Sequence, residues 1–196
     1  MDPRHKVGDD EHLGAGKDVI IQKPNFFVFT GGGGTGKTTL IQYLAAVGER
    51  VVDENIRTVI REQATAGGPG VPWIDAKLCC DLTTARDVAD FDACAGETRR
   101  VFFDRGLMDM YGAKGGAPSH VLTEAIRTRR YNRRVFVFPP WQDIYQTDAE
   151  RREDWSRMEA VFEHIVATLP TLGYAPVIMP KADVATRAAF VLDAAR

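Results

Sequence analysis

No apolar run in this sequence approaches the ~20 residues that a membrane-crossing helix requires, so no transmembrane segment is expected. The opening stretch, MDPRHKVGDDEHLGAGKD, is polar and lacks the apolar core of a secretory signal. Cysteine is scarce. Cys79, Cys80 and Cys94 are odd in number and carry no Cys-x-x-Cys spacing, which argues against a disulfide framework and fits free thiols in the cytoplasm, the expected location. His5, His12, His120 and His164 are scattered, without the ligand spacing of a zinc site. Neither charge sign dominates: the formal net charge is −2. A chain so nearly neutral is not built to coat nucleic acid or an anionic membrane, and nucleic acid is not an expected partner.

What is present is an ordinary globular composition, 44% hydrophobic and 27% charged over 196 residues, enough for one domain. Residues 1–23 have mixed charge and few large apolar groups, which predicts a mobile tail ahead of a domain over 24–196. Short apolar runs at 26–29, 101–103, 135–138 and 176–179, with a weaker one at 50–52, read as strands buried on both faces. Between them, 37–47, 74–95, 120–131, 150–169 and 183–195 are long enough for helices. This alternation predicts an α/β fold with a parallel sheet and helices on both faces. In such folds ligands bind beyond the carboxyl ends of the strands.

The residues just after the first strand run Gly31, Gly32, Gly33, Gly34, Thr35, Gly36, Lys37, Thr38. They satisfy the phosphate-loop pattern G-x-x-x-x-G-K-[ST] between a strand and a helix. Glycines let the backbone bend and turn its N–H groups toward phosphate oxygens, and the following helix points its positive end at the same place. Lys37 is expected on the β- and γ-phosphates and the Thr38 hydroxyl on Mg²⁺. Gly31, Gly33, Gly34, Thr35, Gly36, Lys37, Thr38 and Thr39 form the expected nucleotide-binding set, with ATP as the nucleotide and GTP as the alternative.

Three further strand ends carry chemistry. Val101-Phe102-Phe103 runs into Asp104-Arg105-Gly106: Asp104 is placed to hold the metal, and Arg105 to grip a substrate or phosphate oxygen in bidentate fashion. Val51-Val52 runs into Asp53 and Glu54. If a helix starts near Asp53, then Glu54, Arg57 and Arg61 share one face. A carboxylate there would accept the proton of an attacking hydroxyl, with Asp53 as rival to Glu54, while the arginines bind substrate. The bland alternative is a solvated salt-bridge face. The stretch after the fourth strand, PPWQDIYQTDAERR, lies where P-loop kinases carry a lid, and Arg151, ahead of Arg152, is the candidate to close over the phosphates.

Other features have simpler readings. The glycine- and proline-rich loop 67–73 would line the acceptor side, with Trp73 stacking on a ring or anchoring the loop. Arg127, Arg129, Arg130, Arg133 and Arg134 fit the C-terminal end of a helix better than a nucleic-acid grip. Lys181-Ala182-Asp183 resembles the guanine-reading pattern of GTPases, but Pro180 stands where Asn or Thr is usual, and Asp183 as a helix cap is simpler.

Taken together, FFVFTGGGGTGKTTL, VVDENIRTVIREQ, PWID, VFFDRG, VFVFPPWQDIYQTDAERR, LGY and the terminal helix with Arg187 and Phe190 resemble the NadR-type AAA-domain family of P-loop proteins over residues 25–192. Gly33 stands where that family often has Pro. The resemblance implies a three-layer P-loop fold with a five-stranded parallel sheet in the kinase-like order 2-3-1-4-5. It also implies Mg²⁺-nucleotide binding by Lys37, Thr38 and Asp104, and a cleft lined by Glu54, Arg57 and Arg105. The expected activity is a small-molecule, nucleoside-like kinase that acts on a nucleotide triphosphate and an acceptor hydroxyl. The alternative is an NTPase switch acting on a protein or membrane partner.

Overall fold

The computed structural model describes residues 19–111, 117–144 and 157–196. Among the described residues seven strands and six α-helices follow one another: β1 (Ile21–Gln22), β2 (Phe26–Gly31), α1 (Lys37–Ala46), β3 (Arg50–Val52), α2 (Asn55–Ala66), α3 (Ala76–Ala93), β4 (Val101–Asp104), α4 (His120–Thr128), β5 (Arg129–Arg130), β6 (Arg134–Phe138), α5 (Met158–Thr171), β7 (Ala175–Ile178) and α6 (Val184–Ala194). Five strands form one parallel sheet in the order β3-β4-β2-β6-β7. Numbered among themselves, these five run 2-3-1-4-5, as expected.

The three central strands β4, β2 and β6 are buried on both faces because each carries a continuous apolar run, VFF, FFVF and VFVF. Phe26, Val28, Val101, Phe103, Val135 and Val137 point to one face, where Phe91, Leu122 and Leu169 of α3, α4 and α5 cover them. Phe27, Phe29, Phe102, Phe136 and Phe138 point to the other, against Leu40, Ile41 and Leu44 of α1 and Val191 of α6. This is the period of two that a pleated strand imposes. Phe29 is the hub of the second face, with Phe102, Phe136 and Phe138 at ring-centroid distances of 5.7, 5.6 and 5.4 Å. The central strand β2 thus ends in rigid surroundings just where the glycine run begins.

Two expectations need correction. Ile21 and Gln22, assigned by sequence to the tail, pair in parallel with Arg129 and Arg130. Lys23 sits over the Phe26 ring and donates to the Ala95 carbonyl. The tail assignment therefore fails at its C-terminal end, because the short apolar run Val19-Ile20-Ile21 is held by main-chain pairing and by packing of Ile21 against the core. The same pairing ends α4 at Thr128 and not at 131: Arg129 is extended (φ −127°, ψ 131°) and belongs to β5.

Arg127 of the arginine run stands in the last turn of α4 itself, while Arg130 and Arg134 serve the ends of other helices. Arg130 donates to the Leu172 carbonyl at 3.1 Å, beyond α5, and Arg134 to the Ala194 carbonyl at the end of α6. Arg129 grips Asp92 through two bonds of 2.9 and 2.6 Å.

Candidate active site

Gly36 takes a left-handed conformation (φ +82°) that ends the loop and sets the first turn of α1 at Lys37. Only glycine adopts it without strain. Gly31 is needed for a different reason: a Cβ there would lie 2.6 Å from the Phe138 carbonyl oxygen on β6. The loop encloses a cavity of about 280 Å³ lined by Gly33, Gly34, Thr35, Gly36, Lys37, Thr38 and Thr39, together with Glu54, Arg57, Arg105 and Ile144. The structure therefore brings the glycine loop, the acid after the second sheet strand and the arginine after the third into one concave site. Gly31 contributes from beneath, through its carbonyl.

Lys37 is buried and donates to the Gly31 and Gly32 carbonyls at 3.0 and 2.7 Å. Burial, helped by the nearby Arg105, pushes its ammonium down to about 7. A cation held this way has neutral carbonyls and, at 3.4 Å, the Thr35 hydroxyl as partners, and its bonds are the kind that phosphate oxygens replace.

The Thr38 hydroxyl donates to Asp104 Oδ2 at 3.2 Å, while Asp104 Oδ1 is buried with no partner. Burial pushes this carboxyl up, against the pull of Lys37. A hydroxyl, a carboxylate and an orphaned carboxylate oxygen beside a phosphate loop make a set of hard oxygen donors that fits Mg²⁺.

Glu54 lies at the N-cap of α2 and holds both arginines. Its Oε1 accepts from Arg105 Nε, and its Oε2 accepts from Arg57 Nε at 2.8 Å. Burial alone would raise this carboxyl, but the Arg105 ion pair and hydrogen bond, with Lys37 and Arg57 behind them, hold it down at about 2. For Asp53, the rival acid, the side chain does not line the cavity. Arg61 does not line it either. One turn beyond Arg57, and so about 6 Å further along the axis, it is exposed and donates to Thr58 Oγ1 at 3.3 Å. Trp73 is 53% exposed and also lies outside the lining. Arg151 and Arg152 lie outside the described residues.

Sequence reading missed Asp109. Its side chain is 2% exposed and takes three donors: Thr30 Oγ1 at 2.6 Å, Arg105 Nη1 at 3.0 Å and the Gly106 N–H at 3.0 Å. Arg105 is the only non-glycine residue with positive φ (+77°) among the described residues, a conformation that costs roughly 1–2 kcal/mol. Glu54 and Asp109 on either side of its guanidinium hold that strain in place. The signal was an Asp five residues after Asp104, which only the turn at 105–110 brings back onto the arginine. Asp109→Ala is expected to destabilise the protein by about 3–5 kcal/mol, the usual loss when one partner of a buried ion pair is removed. Urea denaturation measures this, and a loss below about 1 kcal/mol would show that Arg105 holds its place without Asp109.

Behind this hub the Asn55 amide donates to Asp87 at 2.9 Å and Asp90 at 2.7 Å, tying the start of α2 to α3. Burial, aided by the charges of Asp109 and Asp90, pushes the Asp87 carboxyl up to about 7. On the other side of the first turn of α2 lies a second, mostly apolar cavity of about 310 Å³, walled by Ile56, Pro72, Cys79, Cys80, Met110 and Pro118. Pro72 brings the 67–73 loop to its wall.

Asp183 caps α6. Oδ1 accepts from the Thr186 N–H and Oδ2 from the Thr186 hydroxyl, both at 2.9 Å.

Comparison with known proteins agrees with this architecture. A profile described as an AAA domain matches residues 26–187. No curated protein sequence matches the chain. Among solved structures, NadR in complex with NR superposes with a TM-score of 0.62 at 19% identity, covering 89% of this chain and 50% of that one. Thymidylate kinase from Ehrlichia chaffeensis gives 0.57 at 15% identity, covering 89% and 99%. Deoxyadenosine kinase from M. mycoides with bound dATP gives 0.56 at 11% identity, covering 86% and 98%. Identities this low establish a shared fold, and the NadR chain is about twice the length matched here. The glycine loop and the strand order are those of a P-loop protein, and with the profile spanning most of the sequence this chain belongs to the AAA-domain family that the profile describes.

Proposed function

We propose that this protein is a small-molecule kinase that transfers the γ-phosphoryl group of ATP to the hydroxyl of an uncharged, nucleoside-like acceptor. The observation that carries this reading is the Glu54 carboxylate, held between Arg57 and Arg105 on the wall of the phosphate-loop cavity. A hydrolytic NTPase would also need a group to orient water, but it has no need of the acceptor-sized second cavity that Ile56 of α2 helps to wall. In the transfer, the acceptor oxygen forms its bond to the γ-phosphorus as the bond to the β,γ-bridging oxygen breaks. The hydroxyl proton passes to Glu54, and ADP leaves. Catalysis of this kind is mostly positioning and charge neutralisation, which Lys37, Arg105 and the first turn of α1 would supply.

Thr38 and Asp104 would hold Mg²⁺, which when bound neutralises charge on the β- and γ-phosphates. The acceptor would occupy the 310 Å³ cavity. Among the described residues its lining carries one cation, Lys77, and that is paired with Asp81 at 2.8 Å. A wall of this kind suits an uncharged ring better than a carboxylate or a phosphate. Asp183 has both oxygens engaged on Thr186, which favours ATP over GTP. NadR, deoxyadenosine kinase and thymidylate kinase share the fold and support the same class of reaction.

The test is an assay with γ-labelled ATP and Mg²⁺, run with and without a pool of nucleosides, sugars and vitamins. Label is expected on a nucleoside-like member of the pool. Label released only as free phosphate, at a rate the pool does not change, would overturn the kinase reading in favour of the NTPase switch.

A further inference from the structure

Arg187 is the most unusual charge in the molecule. It sits on α6, is 5% exposed, and forms no ion pair among the described residues; Asp183, the opposite charge that acts on it from one turn earlier, has both oxygens engaged on Thr186. Its Nη1 donates to the Gly36 carbonyl at 3.3 Å, its guanidinium lies 5.6 Å from the Trp141 ring centroid, and its Nε is buried with no partner. Removing a cation from water without a counter-charge is costly, and a buried donor left unmade adds to that cost. A carbonyl and an aromatic face return only part of it. The position is also electrostatically adverse: Gly36 begins α1, whose N-terminal end is itself positive, and Lys37 is the next residue.

An arrangement so unfavourable in the empty protein makes sense if its counter-charge arrives with a ligand. Space points the same way. A Cβ built on Gly36 would lie 2.6 Å from Arg187 Nη1 and 3.2 Å from Ile144 Cδ1, and both Gly36 and Ile144 line the phosphate-loop cavity. The guanidinium is therefore set directly behind the cavity wall, clamped between Gly36 and Trp141.

We propose that Arg187 is a further nucleotide-binding residue, brought to the phosphate loop by the last helix, and that the polyphosphate of the bound nucleotide supplies the counter-charge its guanidinium lacks. This rests on the nucleotide-binding reading above. It also gives α6 a functional role, because occupancy of the loop and docking of the last helix then strengthen one another.

Isothermal titration with ATP, inorganic triphosphate and adenosine tests the proposal on wild type, Arg187→Met and Arg187→Lys, alongside thermal unfolding without ligand. Arg187→Met is expected to weaken ATP and triphosphate by a similar factor, roughly 10- to 100-fold, as expected for a lost hydrogen bond to a charged group. Its ligand-free melting temperature is expected to stay at or above that of wild type, since removing an unpaired buried cation relieves the empty protein. Arg187→Lys is expected to keep most of the triphosphate affinity. Four results would overturn the proposal: unchanged affinity in the Met variant, a loss confined to ATP and adenosine with triphosphate unaffected, a Lys variant as weak as Met, or a Met variant that melts much lower or does not fold. The third would remove charge as the cause, and the fourth would make the residue structural. If wild type binds neither ATP nor triphosphate, the nucleotide-binding reading itself fails, and this inference with it.

Discussion

Nucleotide affinity is expected to be flat with pH below about 7 and to fall tenfold per unit above it, and Lys37→Ala is expected to abolish that dependence together with most of the binding. Burial, with Arg105 nearby, holds the free Lys37 ammonium down at about 7, while the polyphosphate that replaces its carbonyl partners favours the charged form. The sign follows from linkage. Below 7 the lysine is already charged and nothing is taken up on binding. Above 7 the empty protein has lost the proton, the bound state has regained it, and binding must take one from solvent. Titrations at pH 8 in buffers of different ionisation enthalpy should report uptake approaching one proton. Removing the ammonium costs about 2–5 kcal/mol, as for one partner of a buried charge pair, or roughly 30- to several-thousandfold in affinity. Affinity that stays constant between pH 7 and 9 in wild type would show that Lys37 does not meet the phosphates.

The legible and illegible parts of this molecule differ in how far apart their determinants lie along the chain. The sheet could be read because each strand declares itself in two to four consecutive apolar residues, and the glycine loop because its eight residues are contiguous and follow a strand. The grouping of Glu54 with Arg57 was readable from spacing, and Arg105 from its place at a strand end. Asp109 was not, because its importance depends on a left-handed turn at Arg105, and no non-glycine residue announces such a turn. Arg187 was legible only as part of the family resemblance; its contact with the phosphate loop was not, because the carbonyl it touches lies 151 positions away. Ile21 and Gln22 were hidden because the main-chain pairing that holds them is with Arg129 and Arg130, far along the chain. Arg61 was misplaced because a helical face says which residues align but not how far along the axis a ligand reaches.

Glu54→Gln is expected to lower kcat by about 10²-fold or more, the usual contribution of a positioned general base, while nucleotide affinity stays the same or tightens. In the empty protein Glu54 is a poor base, held at about 2 by Arg105, Lys37 and Arg57. It can take a proton only if that pairing loosens. The γ-phosphate is the natural competitor for Arg105, since both Glu54 and the phosphate present oxygen pairs to the same guanidinium fork. Nucleotide binding would then draw Arg105 away and raise the carboxyl, so the base strengthens only once there is a phosphoryl group to transfer. Two measurements follow. In wild type, the acid limb of kcat, which reports the saturated complex, should lie well above that of kcat/KM for the acceptor-free, nucleotide-free enzyme. In Glu54→Gln, the acid limb of kcat should disappear with the activity that depends on it. The freed Arg57 and Arg105 are the reason for expecting affinity to hold, since two cations on the cavity wall lose their carboxylate and keep their attraction for phosphate. Turnover within about threefold of wild type would remove Glu54 as the proton acceptor and leave it as the group that positions the two arginines.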